Sequence, residues 1–246
     1  MDMTFAHLTV RRVRLLSGLV MFAYLTEHLL NHALGIFSLS LAEGGLKLAI
    51  VFWHNPVASL VLYGAAAVHV ALALWTLTTR REWHLPWIEI VRLVAGFTFP
   101  LLLIGHAVTS RLGHTLFDIQ PSYTSTIANL HAAGTEGMQL ALLAPGWLHG
   151  CLGLWITLRR FDLMQRVKPW LIALVILVPL MAALGFLRMS ADVSALGPPP
   201  TASPERLAQR MTLGAWKDHV TMWYLASVAA AFLLGRLRAL ALRRPA

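Results

Sequence analysis

A single cysteine, Cys151, leaves one chain without a disulfide framework or a thiolate metal cluster. Charge is scarce: 13% of the 246 residues are Asp, Glu, Lys or Arg, whereas 57% are hydrophobic. That balance excludes an ordinary soluble domain. Acidic residues are fewest, 11 against 20 Lys and Arg. Within the hydrophobic runs the main carboxylate is Glu27, with Glu89 at the start of another run. The first hydrophobic run is too long for a secretory signal and no small-residue cleavage site follows it, so it reads as a true span. No internal repeat stands out.

What is present is a series of long apolar runs. A bilayer crossing takes about 20 mostly apolar residues, and six runs qualify, roughly Val13–Ser38, Val57–Thr79, Trp87–Ser110, Gly137–Leu158, Pro169–Leu187 and His219–Leu237. They are too long and continuous for barrel strands, and only helices or closed barrels satisfy the backbone in lipid. The expectation is an all-α, polytopic bundle of six transmembrane helices, one integral membrane domain over residues 1–246. Its core is expected over residues 12–160, with additional helices over 169–187 and 219–237. Trp53, Trp83, Trp87, Trp170 and Trp216 fall near span ends, as an aromatic belt does.

The net charge of +9 is a topology signal. Arg11, Arg12, Arg14, Arg80, Arg81, Arg159, Arg160, Arg166, Lys168, Arg236, Arg238, Arg243 and Arg244 fall on one side of a six-span chain. The other side has fewer: Lys47, Arg111, Arg188, Arg206, Arg210 and Lys217. The positive-inside rule then places both termini in the cytoplasm. These charges flank spans and form no separate patch, so nucleic acid is not an expected partner. Connections on the cytoplasmic side are short. Outside, residues 111–136 include a candidate re-entrant or surface segment around Ile127–His131, and Pro204–Met211 reads as a short surface helix. Gly197 to Pro200 cannot be regular helix.

Four histidines, His28, His69, His106 and His149, sit in four different runs. Ionisable side chains in a bilayer are costly and mark sites. At a rise of 1.5 Å per residue, His28 and His106 lie roughly 20 and 27 Å from the cytoplasmic side. His69 and His149 lie about 18 and 17 Å from the outer side. The four therefore form two pairs at two depths, His28/His106 and His69/His149. This is the arrangement needed for two stacked haems, each ligated by two imidazoles. Zinc or a binuclear centre would need three or four ligands at one depth. Small residues beside these histidines, Gly64 to Ala67, Gly105, Gly150 and Gly153, leave room for a porphyrin face or simply allow close helix packing. His32 is one turn from His28 on the same face, and spacing alone leaves either as the ligand. His7, His54, His84, His114, His131 and His219 lie at span ends or in loops. Asn31, His32, Arg111 and His114 fall near the outer level, as candidates for a quinone, a haem propionate or plain helix anchoring. Cys151, two residues from His149, reads as a packing residue.

The run from Ser17 to His32, with a glycine, a ten-residue step to histidine and then Asn31-His32, resembles the first helix of dihaem cytochrome b anchors of succinate dehydrogenases and fumarate reductases. His149-Gly150-Cys151-Leu152-Gly153-Leu154-Trp155 is similar to a late ligand-bearing helix of those anchors. The resemblance spans residues 12–160 and favours His28 over His32. Those anchors commonly have five spans in one chain, and a helix between the second and third spans is missing here. Six spans with cytoplasmic termini look more like the N-terminal anchor of some bacterial class III adenylate cyclases, as do Leu29 to Gly35 and Trp147 to Cys151. That resemblance implies two haem b, with His28, His69, His106 and His149 on iron, and quinone or quinol as substrate or ligand. It also implies a cytoplasmic iron–sulfur or cyclase domain, fused or associated, and is compatible with a homodimer.

The expected function is a redox sensor and anchor for such an output domain, with no catalytic residue in this chain. A first alternative is the cytochrome b anchor subunit of a succinate dehydrogenase or fumarate reductase-like complex. A second is a transporter with a histidine proton relay, which explains buried histidines but not their pairing by depth.

Overall fold

The computed structural model describes residues 3–197 and 201–242. Pro198, Pro199, Pro200, Arg243, Arg244 and the His7 side chain lie outside what the structure describes. Among the described residues the chain is all helix. Six helices are long and apolar enough to cross a membrane, so the chain is a multi-pass membrane protein.

Helix α1 (Met3–Leu34) ends at a turn over Gly35, four residues before the expected boundary. A Cβ on Gly35 would meet the Gly185 carbonyl and Met189, so the close approach of that later segment requires glycine here. Ser38 then caps α2 (Leu39–Trp53), its Oγ accepting from the Leu41 amide. At 15 residues, α2 is about 22 Å long, too short for a core of about 30 Å. It lies against α1, α3 and the later helix α6 (Tyr123–Ala133). Asn55 and Pro56 start α3 (Pro56–Thr79).

The third span is longer than the expected Trp87–Ser110. Helix α4 (Trp87–Ala107) runs through a π-helical segment, Val108–Leu112, into α5 (Gly113–Phe117). The expected surface segment is α6, ended by Gly134 at φ 64. Helix α7 (Glu136–Leu158) and the short α8 (Asp162–Arg166) lead to α9 (Lys168–Ser194). The expected surface helix at Pro204–Met211 and span at His219–Leu237 are one continuous helix, α10 (Pro204–Ala241). Ser203 caps it and Pro204 sits in its first turn, so the chain enters helix well before the apolar stretch begins.

The four histidine-bearing helices form the centre. α1 packs on α3 and α7, and α4 packs on α7. α9 flanks α1 and α7, while α10 flanks α3 and α4. Two glycines set the flanking distances: a Cβ on Gly185 would strike the His32 carbonyl, and one on Gly235 would strike the Leu77 carbonyl. Small residues of this kind let membrane helices approach backbone to backbone. Large apolar side chains such as Leu48, Leu60, Trp170, Leu174 and Leu237 are exposed on the outside, where lipid would meet them.

Candidate functional site

The structure brings the four span histidines together in two pairs. The ring centroids of His69 and His149 are 6.1 Å apart, and those of His28 and His106 are 5.8 Å apart. With a metal–imidazole nitrogen bond of about 2.0–2.1 Å, two rings on opposite sides of one metal ion have centroids about 6 Å apart.

Each ring of the His69/His149 pair meets a protein oxygen at Nδ1. His149 donates from Nδ1 to the Arg92 carbonyl at 2.9 Å. Ser17, buried in α1, gives its hydroxyl proton to the Arg14 carbonyl at 3.0 Å. The Ser17 oxygen lies 3.2 Å from His69 Nδ1 and accepts from it when that ring is the Nδ1–H tautomer. His149, which donates to a carbonyl, is the Nδ1–H tautomer with its Nε2 lone pair free, the state a metal ligand needs, and the Ser17 oxygen suits the same tautomer at His69. A glycine makes room for each ring. A Cβ on Gly18 would lie 3.2 Å from His69 Cε1, and one on Gly96 would lie 2.5 Å from His149 Cε1. The glycines expected from sequence are different ones. Gly150 faces Phe22, Gly105 meets only Lys217, and Gly64 and Gly153 face open space.

These partners expose an internal repeat that composition and hydropathy hide. Val13-Arg14-Leu15 and Gly18, followed by His28 and Leu34-Gly35, recur as Val91-Arg92-Leu93, Gly96, His106 and Leu112-Gly113. His69, Leu72, Leu74 and Trp75 recur as His149, Leu152, Leu154 and Trp155. Each histidine pair is made of repeat-equivalent residues. Gly18 with His69 and Gly96 with His149 are the same contact made twice. His32 corresponds to Ser110, so it has no histidine counterpart.

The second pair has a third imidazole beside it. The ring meeting His106 is that of His28, while His32 meets His28, Tyr123 and Phe186. His28 Nε2 and His32 Nε2 share a hydrogen bond of 3.2 Å. His106 is held by the Gln139 side chain, and the Tyr24 ring stacks on His28. A cavity of about 130 Å³ opens beside them, lined among others by Glu27, Trp53, His54, Tyr63 and Arg111. Trp53 Nε1 donates to Glu27 at 3.1 Å.

Arg111 reaches this cavity because of the π segment. Five residues along an α-helix is about 140° round from the start, whereas i→i+5 turns bring the chain back toward the His106 face. Its Nη2 donates to Ser59 at 2.9 Å, the guanidinium lies over Tyr63, and Nη1 is buried without a partner. Of the four residues expected near this level, His32 and Arg111 line the cavity. Asn31 and His114 stand behind it. Asn31 donates to the Tyr123 hydroxyl, and His114 packs on His54 with ring centroids 4.8 Å apart. Burial, then Arg111 and His114, lower the His54 pKa to about 4. His131 joins Glu136 and Ser190 instead, tying α6 to α7 and α9.

Among the described residues no cluster of three or more His, Cys, Asp or Glu forms a metal site. No protein-family model, curated protein or solved structure matches the chain.

The residues present fit a planar, doubly ligated macrocycle best at His69/His149. Gly18 and Gly96 make room for the two imidazoles, and a protein oxygen stands at each Nδ1. Ser17, Gly18, Arg92, Gly96, Gln139 and Trp53 are missing from the sequence-based site. The signal for several of them was the repeated Arg, Gly and His spacing on α1 and α4.

Proposed function

We propose that this chain is a dihaem b membrane domain that exchanges electrons with the quinone pool. We further propose that it acts as a redox sensor and anchor for a cytoplasmic output domain of the adenylate cyclase type. The observation carrying the reading is the two repeat-equivalent imidazole pairs at about 6 Å, one with both Nδ1 atoms tied to protein oxygens. His69 and His149 would hold one haem, and His28 and His106 the other. Haem would supply reversible one-electron chemistry at each level.

The chain's own residues do the rest. Ser17 and the Arg14 and Arg92 carbonyls hold the His69 and His149 rings in orientation and keep Nε2 unprotonated. Gln139 positions His106. The choice of His28 over His32 is supported by the repeat, in which His28 and His106 correspond. In the adjoining cavity Arg111 offers a donor and Glu27 a carboxylate acceptor, the two functions a quinol head needs. Positive-inside charge puts the Arg14 end in the cytoplasm, and an even number of spans returns the chain to that side for an output domain.

A proton-relay transporter is favoured by one observation, the run of His106, His28 and His32 beside Glu27 in one cavity. A dithionite-reduced minus oxidised spectrum, with haem quantified per chain, separates the two. Two low-spin b-type haems are expected; a chain without haem after expression with ample haem supply would falsify the dihaem reading.

A further inference from the structure

We propose that Arg14 and Arg92 form a paired carboxylate-binding site at the His69/His149 level, holding the two propionates of the haem bound there. This rests on the dihaem reading and adds residues that neither spacing nor resemblance supplied.

Each arginine performs two tasks at one position. Its backbone carbonyl lies at the Nδ1 edge of an inner histidine: Arg92 accepts directly from His149, and Arg14 accepts from the Ser17 hydroxyl that bridges to His69. Its side chain then projects from the same place. Arg14 Nη2 reaches Thr76 Oγ1 at 2.5 Å and the Leu72 carbonyl at 3.4 Å, both on α3, the helix of His69. Thr76 corresponds to Ile156 in the second repeat, so Arg92 lacks the matching hydroxyl. Among the described residues nothing accepts from its guanidinium. Nε of both arginines is buried without a partner.

The two charges act on each other and on His69, yet neither arginine has a carboxylate partner among the described residues. Two like charges half-withdrawn from water repel, and unpaired buried donors cost free energy. A dianion between them removes both costs. The repeat gives the stoichiometry: each half contributes one guanidinium, and haem b carries two propionates. Arginine is also the side chain best matched to a planar carboxylate.

A lipid phosphate is the competing anion, and the test separates them. The whole chain is purified with its haem as wild type, Arg14→Gln, Arg92→Gln, Arg14→Lys and Arg92→Lys, and each is titrated redox-potentiometrically with haem counted per chain. Removing a positive charge beside an iron favours its more positive, oxidised state. Each Gln variant should therefore lower one of the two midpoint potentials, or lose one haem of two, and leave the other unmoved. The Lys variants should keep both haems and restore most of the potential. Unchanged potentials in both Gln variants at two haems per chain would overturn the proposal while leaving the dihaem reading intact. So would loss of haem in the Lys variants as severe as in the Gln variants, or loss of a bound anionic lipid in native mass spectra with potentials unmoved. A wild type without haem overturns the dihaem reading itself.

Discussion

The two histidine levels use the same residue type on equivalent helices, yet the protein prepares them differently. At His69/His149 each ring has a protein oxygen at Nδ1, a glycine beside it and an arginine behind it. At His28/His106 the Nε2 of His28 is engaged by His32, and a cavity with a carboxylate and a guanidinium opens alongside. The first level fixes its rings in one orientation. The second sets a third imidazole and a polar cavity beside its rings. The lesson is that equivalent histidines differ through the neighbours that fix or free them.

The comparison is broken most severely by filling the cradle. Gly96→Ala puts a methyl 2.5 Å from the His149 ring. It should remove one haem of two, as should His149→Ala or His69→Ala, measured as haem per chain and as half the reduced-minus-oxidised amplitude. At the other level His28→Ala and His106→Ala should each remove the second haem, whereas His32→Ala should keep both. Loss of haem in His32→Ala with retention in His28→Ala would reverse the assignment made from the repeat.

Ser17→Ala sharpens the contrast by freeing the His69 tautomer alone. Losing the hydrogen-bond partner of a ligating imidazole typically weakens metal binding about 10- to 100-fold, so haem dissociation should quicken at this level only, followed by transfer to apomyoglobin. Arg111→Ala tests the opposite end. It should slow reduction by a soluble quinol while leaving dithionite reduction intact, and equal loss of both would mark Arg111 as structural.

The smallest effect is at His54. Its pKa is lowered from 6.5 to about 4, first by burial and then by Arg111 and His114. The folded chain therefore holds the neutral ring. The stability this gives is complete above pH 6.5 and is lost as pH falls toward 4. His54→Gln should flatten the pH dependence of thermal stability across that window, measured in detergent, and an unchanged profile would show that His54 does not control it.

Much of the bundle is readable from hydropathy, because burying a backbone in lipid demands long helices. What escaped has physical reasons. α2 is short and carries Glu43 and Lys47, so it has no spanning signature. The first half of α10 bears Arg206, Arg210, Lys217 and Asp218, and a helix that continues past an apolar stretch leaves no mark in hydropathy. Gly18 and Gly96 resemble any helix glycine until the ring opposite each is known. The repeat is diluted by substitutions at most positions, and its few shared residues stand out only once the contacts pair Arg14 with Arg92 and His69 with His149.

The sequence alone determined six apolar spans, a charge asymmetry between the two sides and four intramembrane histidines at two depths, since length, charge and rise per residue are one-dimensional quantities. Only the tertiary structure decided which oxygens stand at Nδ1 of His69 and His149, which ring meets His106, which glycines face rings and where the π turn carries Arg111. Those depend on rotation about helix axes and on contacts between residues far apart in the chain, such as Ser17 with His69 and Arg92 with His149.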